Sequence, residues 1–130
     1  MSQIYQARVS VKGRGTSVYR IMAFKGDESS DKVVMDILFA FDFDLDHMYR
    51  FTPYGVNPWR SSAVEHEDGY CLDDIIDTCG TTFTLLYDFG DEWMFQITIQ
   101  KVLPTFPGSV IKSVGKVSQY GYDDEEDEEE

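Results

Sequence analysis

Two segments far apart in the chain have apolar residues at every second position. Residues 5–12 alternate strictly between apolar and polar side chains, beginning with Tyr5, and residues 93–100 follow the same pattern from Trp93, with Met94 as the one apolar residue among the opposing positions. Successive side chains of a strand point to opposite faces of its sheet, so this period of two is typical of half-buried strands. The chain is therefore expected to fold around a sheet that buries one face.

The N-terminal part of the chain predicts a hairpin followed by a helix. Residues 13–16, which contain two glycines, separate the first strand from a second apolar segment at residues 17–24. Glycine accepts the positive φ of tight turns, so the two strands are predicted to pair. The serines that follow can cap a helix, and residues 33–41 carry one apolar stripe at helical spacing. This helix is expected to pack against the sheet.

The rest of the chain predicts one more strand, a short helix and a second hairpin. The strand is expected at residues 47–51 and the helix at residues 72–79, where apolar residues have helical spacing. Residues 81–87 and 93–102 are expected to pair, and the chain beyond Pro104 to be irregular. The order ββαβαββ predicts a two-layer α+β fold, with a mixed or antiparallel sheet and helices on one face.

Length and charge indicate one acidic domain with a separate tail. The chain has 130 residues and a formal net charge of −13, and all eight residues from 123 to 130 are acidic. These eight residues repel one another and have nothing apolar to bury, so they are expected to form a disordered tail after a single domain at residues 1–122. The Lys and Arg residues are scattered, which disfavours direct binding of nucleic acid, because such binding depends on neutralising phosphates.

The apolar segments are too short to imply contact with a membrane. None approaches the roughly 18 to 20 residues that a membrane-spanning helix needs, and the N-terminus lacks the features of a signal peptide. A cytoplasmic location is therefore expected. Cys71 and Cys79 would remain thiols in that compartment.

The most distinctive segment is Tyr87-Asp88-Phe89-Gly90-Asp91-Glu92-Trp93, which joins the two strands of the second hairpin. It closely resembles the signature of the plasmid pRiA4b ORF-3-like family. The resemblance extends to residues 47–51, similar to a histidine-containing strand of the family, and to residues 72–76, similar to its second helix. It covers most of residues 5–104. The resemblance implies a fold more than an activity, because the family is largely uncharacterised.

Five residues in and near this signature form the candidate functional cluster: His47, Asp88, Asp91, Glu92 and Trp93. On a structural interpretation, the acidic residues form the hairpin turn with Gly90 at positive φ, while the tryptophan packs. On the competing interpretation, the carboxylates meet His47 or His66 and bind Mg²⁺, Mn²⁺ or Zn²⁺, with Asp88, Asp91 and His47 as the candidate ligands. The structural interpretation is favoured, so no cofactor is expected and no catalytic residue is identified.

These observations favour a non-enzymatic interaction or accessory domain with a protein partner, which an exposed Trp59 beside Pro58 would suit. The resemblance would connect the domain with plasmid or mobile-element biology. A first alternative is a metal-dependent enzyme that uses the region of Asp88, Asp91 and His47. A second alternative, which rests on the net charge alone, is an acidic decoy that mimics nucleic acid and binds a DNA-handling protein.

Overall fold

A computed structural model of the chain describes residues 3–12, 18–45, 47–53, 71–79, 81–88, 90, 92–115 and 117. Its elements, in chain order, are β1 (Ile4–Lys12), β2 (Tyr19–Lys25), α1 (Ser30–Ala40), β3 (Tyr49–Pro53), α2 (Leu72–Cys79), β4 (Thr82–Tyr87), β5 (Trp93–Leu103) and β6 (Val110–Val114). The fold consists mostly of an antiparallel sheet and has two short helices. No helix in these described ranges is long and apolar enough to cross a membrane.

The strand β6 corrects the predicted order ββαβαββ, which ends at β5. The sequence predicts irregular structure beyond Pro104, but Val110–Val114 pair antiparallel with β2. Four of the five side chains of β6 are exposed, so the strand lacks the alternation by which a half-buried strand is detected. Its place in the fold comes from backbone pairing at the sheet edge.

A smaller correction concerns β3, which begins at Tyr49, so that His47 precedes the strand instead of opening it.

All six strands form one sheet in the order β3-β4-β5-β1-β2-β6, and every pairing is antiparallel. Both predicted hairpins are present, since β1 pairs with β2 and β4 pairs with β5. The two hairpins join where β5 lies beside β1, with Val9 opposite Ile97 and Val11 opposite Phe95. Because the register matches buried positions across strands, the apolar residues of neighbouring strands share one face.

The hydrophobic core combines this apolar sheet face with both helices. The predicted stripe of α1 is confirmed, because Val33, Val34, Ile37, Leu38 and Phe41 are all buried in one cluster with the sheet residues. The predicted serine cap is present as well. The side chain of Ser29 accepts a hydrogen bond from the backbone N–H of Lys32 at 3.1 Å, which satisfies one of the free donors at the start of α1.

A buried arginine fixes the end of α1. The guanidinium of Arg20, on β2, donates hydrogen bonds to the carbonyls of Ala40, Val114 and Gly115 at 2.9–3.2 Å. It also lies 4.5 Å from the centroid of the Phe41 ring. Burial lowers the pKa of Arg20, and the nearby charge of Asp42 opposes this effect. These bonds tie the C-terminus of α1 to β2 and to the end of β6, and so position the segment that follows the helix.

Candidate functional site

A cleft with a volume of about 310 Å³ lies between α1 and the beginning of β3. One wall is a face of α1. Its residues follow the three- and four-residue spacing of a helix face: Asp31, Val34, Met35 and Leu38. The opposite wall comes from the chain after α1 and from two strands: Leu45, His47, Tyr49 and Tyr87. A mainly apolar lining with a few polar groups, at this volume, is typical of ligand-binding pockets.

His47 and Asp88, two of the candidate residues, meet at the polar end of the cleft. The imidazole Nε2 of His47 lies 3.5 Å from Oδ2 of Asp88. The backbone N–H of Asp88 donates to the carbonyl of Met48 at 2.9 Å, so the two segments are also joined through their main chains. A carboxylate in this position holds an imidazole in one orientation. The sheet explains the approach, because His47 and Asp88 lie next to the paired ends of β3 and β4.

Tyr87 holds the chain segment around His47 through its side-chain hydroxyl. Its side chain is buried, its hydroxyl donates to the backbone carbonyl of Asp44, and it accepts a hydrogen bond from the backbone N–H of His47 at 3.2 Å. The His47 ring packs edge-on against the Tyr87 ring, with centroids 5.8 Å apart. The first residue of the signature therefore shapes the cleft. The sequence reasoning missed this role, although a buried tyrosine hydroxyl requires a hydrogen-bond partner.

A hydrogen bond between a tyrosine and a carboxylate joins the two walls of the cleft. The hydroxyl of Tyr49, on β3, donates to Oδ1 of Asp31 in the first turn of α1. This contact connects the helix wall with the strand wall. Neither residue belonged to the candidate cluster, because no local pattern in the sequence links two positions on separate elements.

The other signature residues have backbone or core positions. Trp93 is buried and packs edge-on against Phe43, with ring centroids 4.8 Å apart. The side chain of Glu92 is exposed, and its backbone N–H donates to the carbonyl of Asp88 at 2.6 Å. The sequence predicts positive φ at Gly90, but the structure instead gives it to Asp88 (65°) and Glu92 (58°). Asp tolerates this conformation because its short side chain can bond nearby backbone groups.

Two of the metal ligands that the sequence predicts lie in the described part of the structure. Asp88 supplies a carboxylate and His47 an imidazole, whereas Asp91 and His66 lie outside the described residues, as do Trp59 and the acidic tail. In the part of the chain that the structure describes, no group of three or more His, Cys, Asp or Glu side chains is placed to hold a metal ion. Protein metal sites commonly use three or more donors, so this pair alone is an incomplete ligand set.

Exposed apolar side chains lie in the lining of the cleft and next to lining residues in the chain. We call them the apolar rim: Met35 (46% exposed), Phe39 (80%), Leu45 (53%) and Met48 (71%). Met35 and Leu45 line the cleft, Phe39 lies one turn along α1 from Met35, and Met48 follows His47. Scattered exposed apolar residues are ordinary, but several grouped around one cavity are typical of a binding surface.

The fold and the cleft define a small α+β domain with a ligand-sized cleft beside α1. A family model described as plasmid pRiA4b ORF-3-like protein matches residues 3–123, and the chain belongs to this family. The chain is also similar to a crystal structure of a protein of unknown function from Methanosarcina mazei Go1. The TM-score is 0.67 and the identity 22%, over 88% of this chain and 67% of that one. A comparison with curated proteins gave no match. The structural similarity supports the fold alone.

Proposed function

We propose that this chain is a non-enzymatic interaction domain whose cleft binds an apolar segment of a protein partner. The apolar rim is the observation that carries the proposal. Protein interfaces depend on a few large side chains that fill well-packed pockets, and the cleft offers such a pocket with exposed apolar residues in and beside its lining. Covering this surface would remove from water the largest apolar groups that α1 leaves exposed.

The polar groups of the cleft support binding more than catalysis. The hydroxyl of Tyr49 bonds the strand wall to the helix wall, and the hydroxyl of Tyr87 fixes the chain after α1 within the strand wall. Preformed walls of this kind reduce the entropy that is lost when a partner binds. The family description refers to a plasmid reading frame, and this supports a place for the domain in plasmid or mobile-element biology.

Selection of short random peptides on the immobilised protein tests the proposal. Peptides that bind are then measured by fluorescence polarisation against wild type, Leu45→Lys and Val102→Lys. Val102 is a matched control because it is 50% exposed and lies on β5, outside the cleft. We expect Leu45→Lys to weaken binding about tenfold or more, and Val102→Lys to leave it unchanged. Equal affinity for the two variants, or failure to select any peptide, would contradict the proposal.

A second candidate is a metal-dependent enzyme, and the contact between His47 and Asp88 favours it. An imidazole and a carboxylate on neighbouring segments are a suitable beginning for a Mn²⁺ or Zn²⁺ site. Asp91, three residues beyond Asp88, would have to complete the ligand set. Saturable metal binding that depends on Asp91 would support this candidate.

A further inference from the structure

We infer that the segment recognised by the cleft is a basic amphipathic helix, with its apolar face against α1 and its Lys and Arg side chains beside the carboxylates in and beside the cleft. The inference rests on the proposed function and specifies the class of partner. It follows from the shape of the exposed apolar surface and from the sign of the charge around it.

The exposed apolar residues of α1 have the spacing that suits helix packing. Met35 and Phe39 are four residues apart, so their side chains lie one above the other on the outer face of the helix. Val34 and Leu38 have the same spacing and line the cleft, but their side chains are buried in the core. Rows of side chains with this spacing form the ridges and grooves into which a second helix packs. Residues 31–39 span about 12 Å, which corresponds to about two turns of a partner helix.

Three carboxylates lie in or beside the cleft. Asp31 is part of its lining, Asp88 lies 3.5 Å from the imidazole of the lining residue His47, and the exposed Asp44 precedes Leu45 of the apolar rim. The nearest lysine on α1, Lys32, is already engaged, because its Nζ lies 2.9 Å from Asp36. This hydrogen bond is the main cause that raises the pKa of Lys32. A segment with Lys and Arg beside its apolar anchors would therefore be attracted, and an acidic segment would be repelled.

The same argument makes two other occupants less favourable than a basic segment. A second copy of the chain carries the same net charge of −13, and the residues 123–130 of its own tail are all acidic. Either one would bring negative charge to a negative surface.

The side chains of Met35 and Met48 are flexible and polarisable, so they can adapt to apolar faces of different shape. We therefore expect recognition of a pattern, apolar on one face and basic on the other, instead of a single sequence.

A pair of synthetic helical peptides tests the inference. Both have leucine on one face, and the opposite face carries lysine in one peptide and glutamate in the other. A scrambled leucine–lysine peptide keeps the charge and removes the apolar face. We expect the ordered leucine–lysine peptide to bind the full chain about a hundredfold more tightly than either control, as measured by calorimetry. Leu45→Lys should weaken that binding about tenfold or more, and Val102→Lys should leave it unchanged.

The outcomes separate this inference from the proposed function. Equal binding of the leucine–lysine and leucine–glutamate peptides, lost from both in Leu45→Lys, would overturn the basic partner and leave the cleft as a binding site. Tight binding of the scrambled peptide, unaffected by Leu45→Lys, would show attraction by charge alone, as in an acidic decoy, and would also overturn the inference. Failure of both helical peptides, when peptides selected from the random library bind through Leu45, would overturn it as well. If no peptide of any kind depends on Leu45, the proposed function itself fails.

Discussion

Trp93 shows how a signature residue can belong to the core. Its indole is 3% exposed and contacts Phe43, which lies in the segment between α1 and β3. Large buried aromatic residues contribute several kcal/mol to stability, because their removal loses transfer energy and leaves a cavity. The role of this side chain is therefore to hold the chain after α1 against β5.

We predict that Trp93→Ala lowers the free energy of unfolding by about 3–5 kcal/mol, enough to unfold a marginal domain. Urea denaturation measures the change. Met94→Ala is the control, since the neighbouring residue of β5 points to the opposite face and is only half-buried. We expect it to cost about 1 kcal/mol. Similar costs for the two substitutions would show that Trp93 is not a core anchor.

A metal titration decides between the two interpretations of the signature. We predict that calorimetric titration of Mn²⁺ and Zn²⁺ into wild type gives no saturable binding, because the favoured structural interpretation assigns Asp88 and Asp91 to the hairpin turn. Asp91→Asn should change the free energy of unfolding by less than about 1 kcal/mol, since an amide also suits a turn. Tight binding by wild type that Asp91→Asn abolishes and Glu92→Gln preserves would instead establish the metal-dependent alternative.

At the scale of elements, the start of α1 contains an unfavourably buried carboxylate. Glu28 precedes the cap residue Ser29, and its Oε1 is buried without a hydrogen-bond partner in the described structure. Burial is the main cause that raises the pKa of Glu28; Asp36 adds to it and Lys32 opposes it. Because the folded chain then holds this proton more tightly than the unfolded chain, ionisation of Glu28 lowers stability as the pH rises.

We predict that Glu28→Gln stabilises the protein at neutral pH and that the gain disappears below about pH 4.5, the usual pKa of the group. Below that pH the carboxyl is protonated in both the folded and the unfolded chain, so the two proteins should have similar stability. Urea unfolding at a series of pH values measures the difference. A gain that stays constant across the series would indicate a different cause.

The elements differ in how clearly the sequence predicts them. The helix α1 and the strand β5 bury one side and expose the other, so the periodicity of their apolar residues is enough to identify them. The strand β6 buries little and has no such period. In the cleft, the contact of His47 with Asp88 was among the hypotheses, whereas Asp31 and Tyr49 meet only through the tertiary fold. A contact between distant segments leaves no pattern in the local sequence. The apolar rim also combines residues of α1 with residues of the chain that follows it, so no single segment of the sequence predicts it.

On the scale of the whole molecule, the acidic tail at residues 123–130 is expected to act independently of the folded part, although it lies outside the described residues. We predict that its removal leaves the melting temperature unchanged or slightly raised, because a solvated run of like charges makes few packed contacts. Calorimetry measures the change, and a glycine–serine tail of equal length separates charge from length. A decrease of more than about 5 °C, roughly 1 kcal/mol, would show that the tail docks on the domain.

The pairing of β1 with β5 also determines when the protein can fold during its synthesis. Ala7 lies opposite Ile99, so the centre of the sheet joins two strands that are about 90 residues apart in the chain. Until Trp93–Leu103 has left the ribosome, the hairpin of β1 and β2 has an unpaired edge, and the core lacks the side chains of Trp93, Phe95 and Ile97. Such long-range pairing slows folding and prolongs the exposure of apolar strand edges. The nascent chain is therefore most vulnerable to aggregation just before β5 emerges.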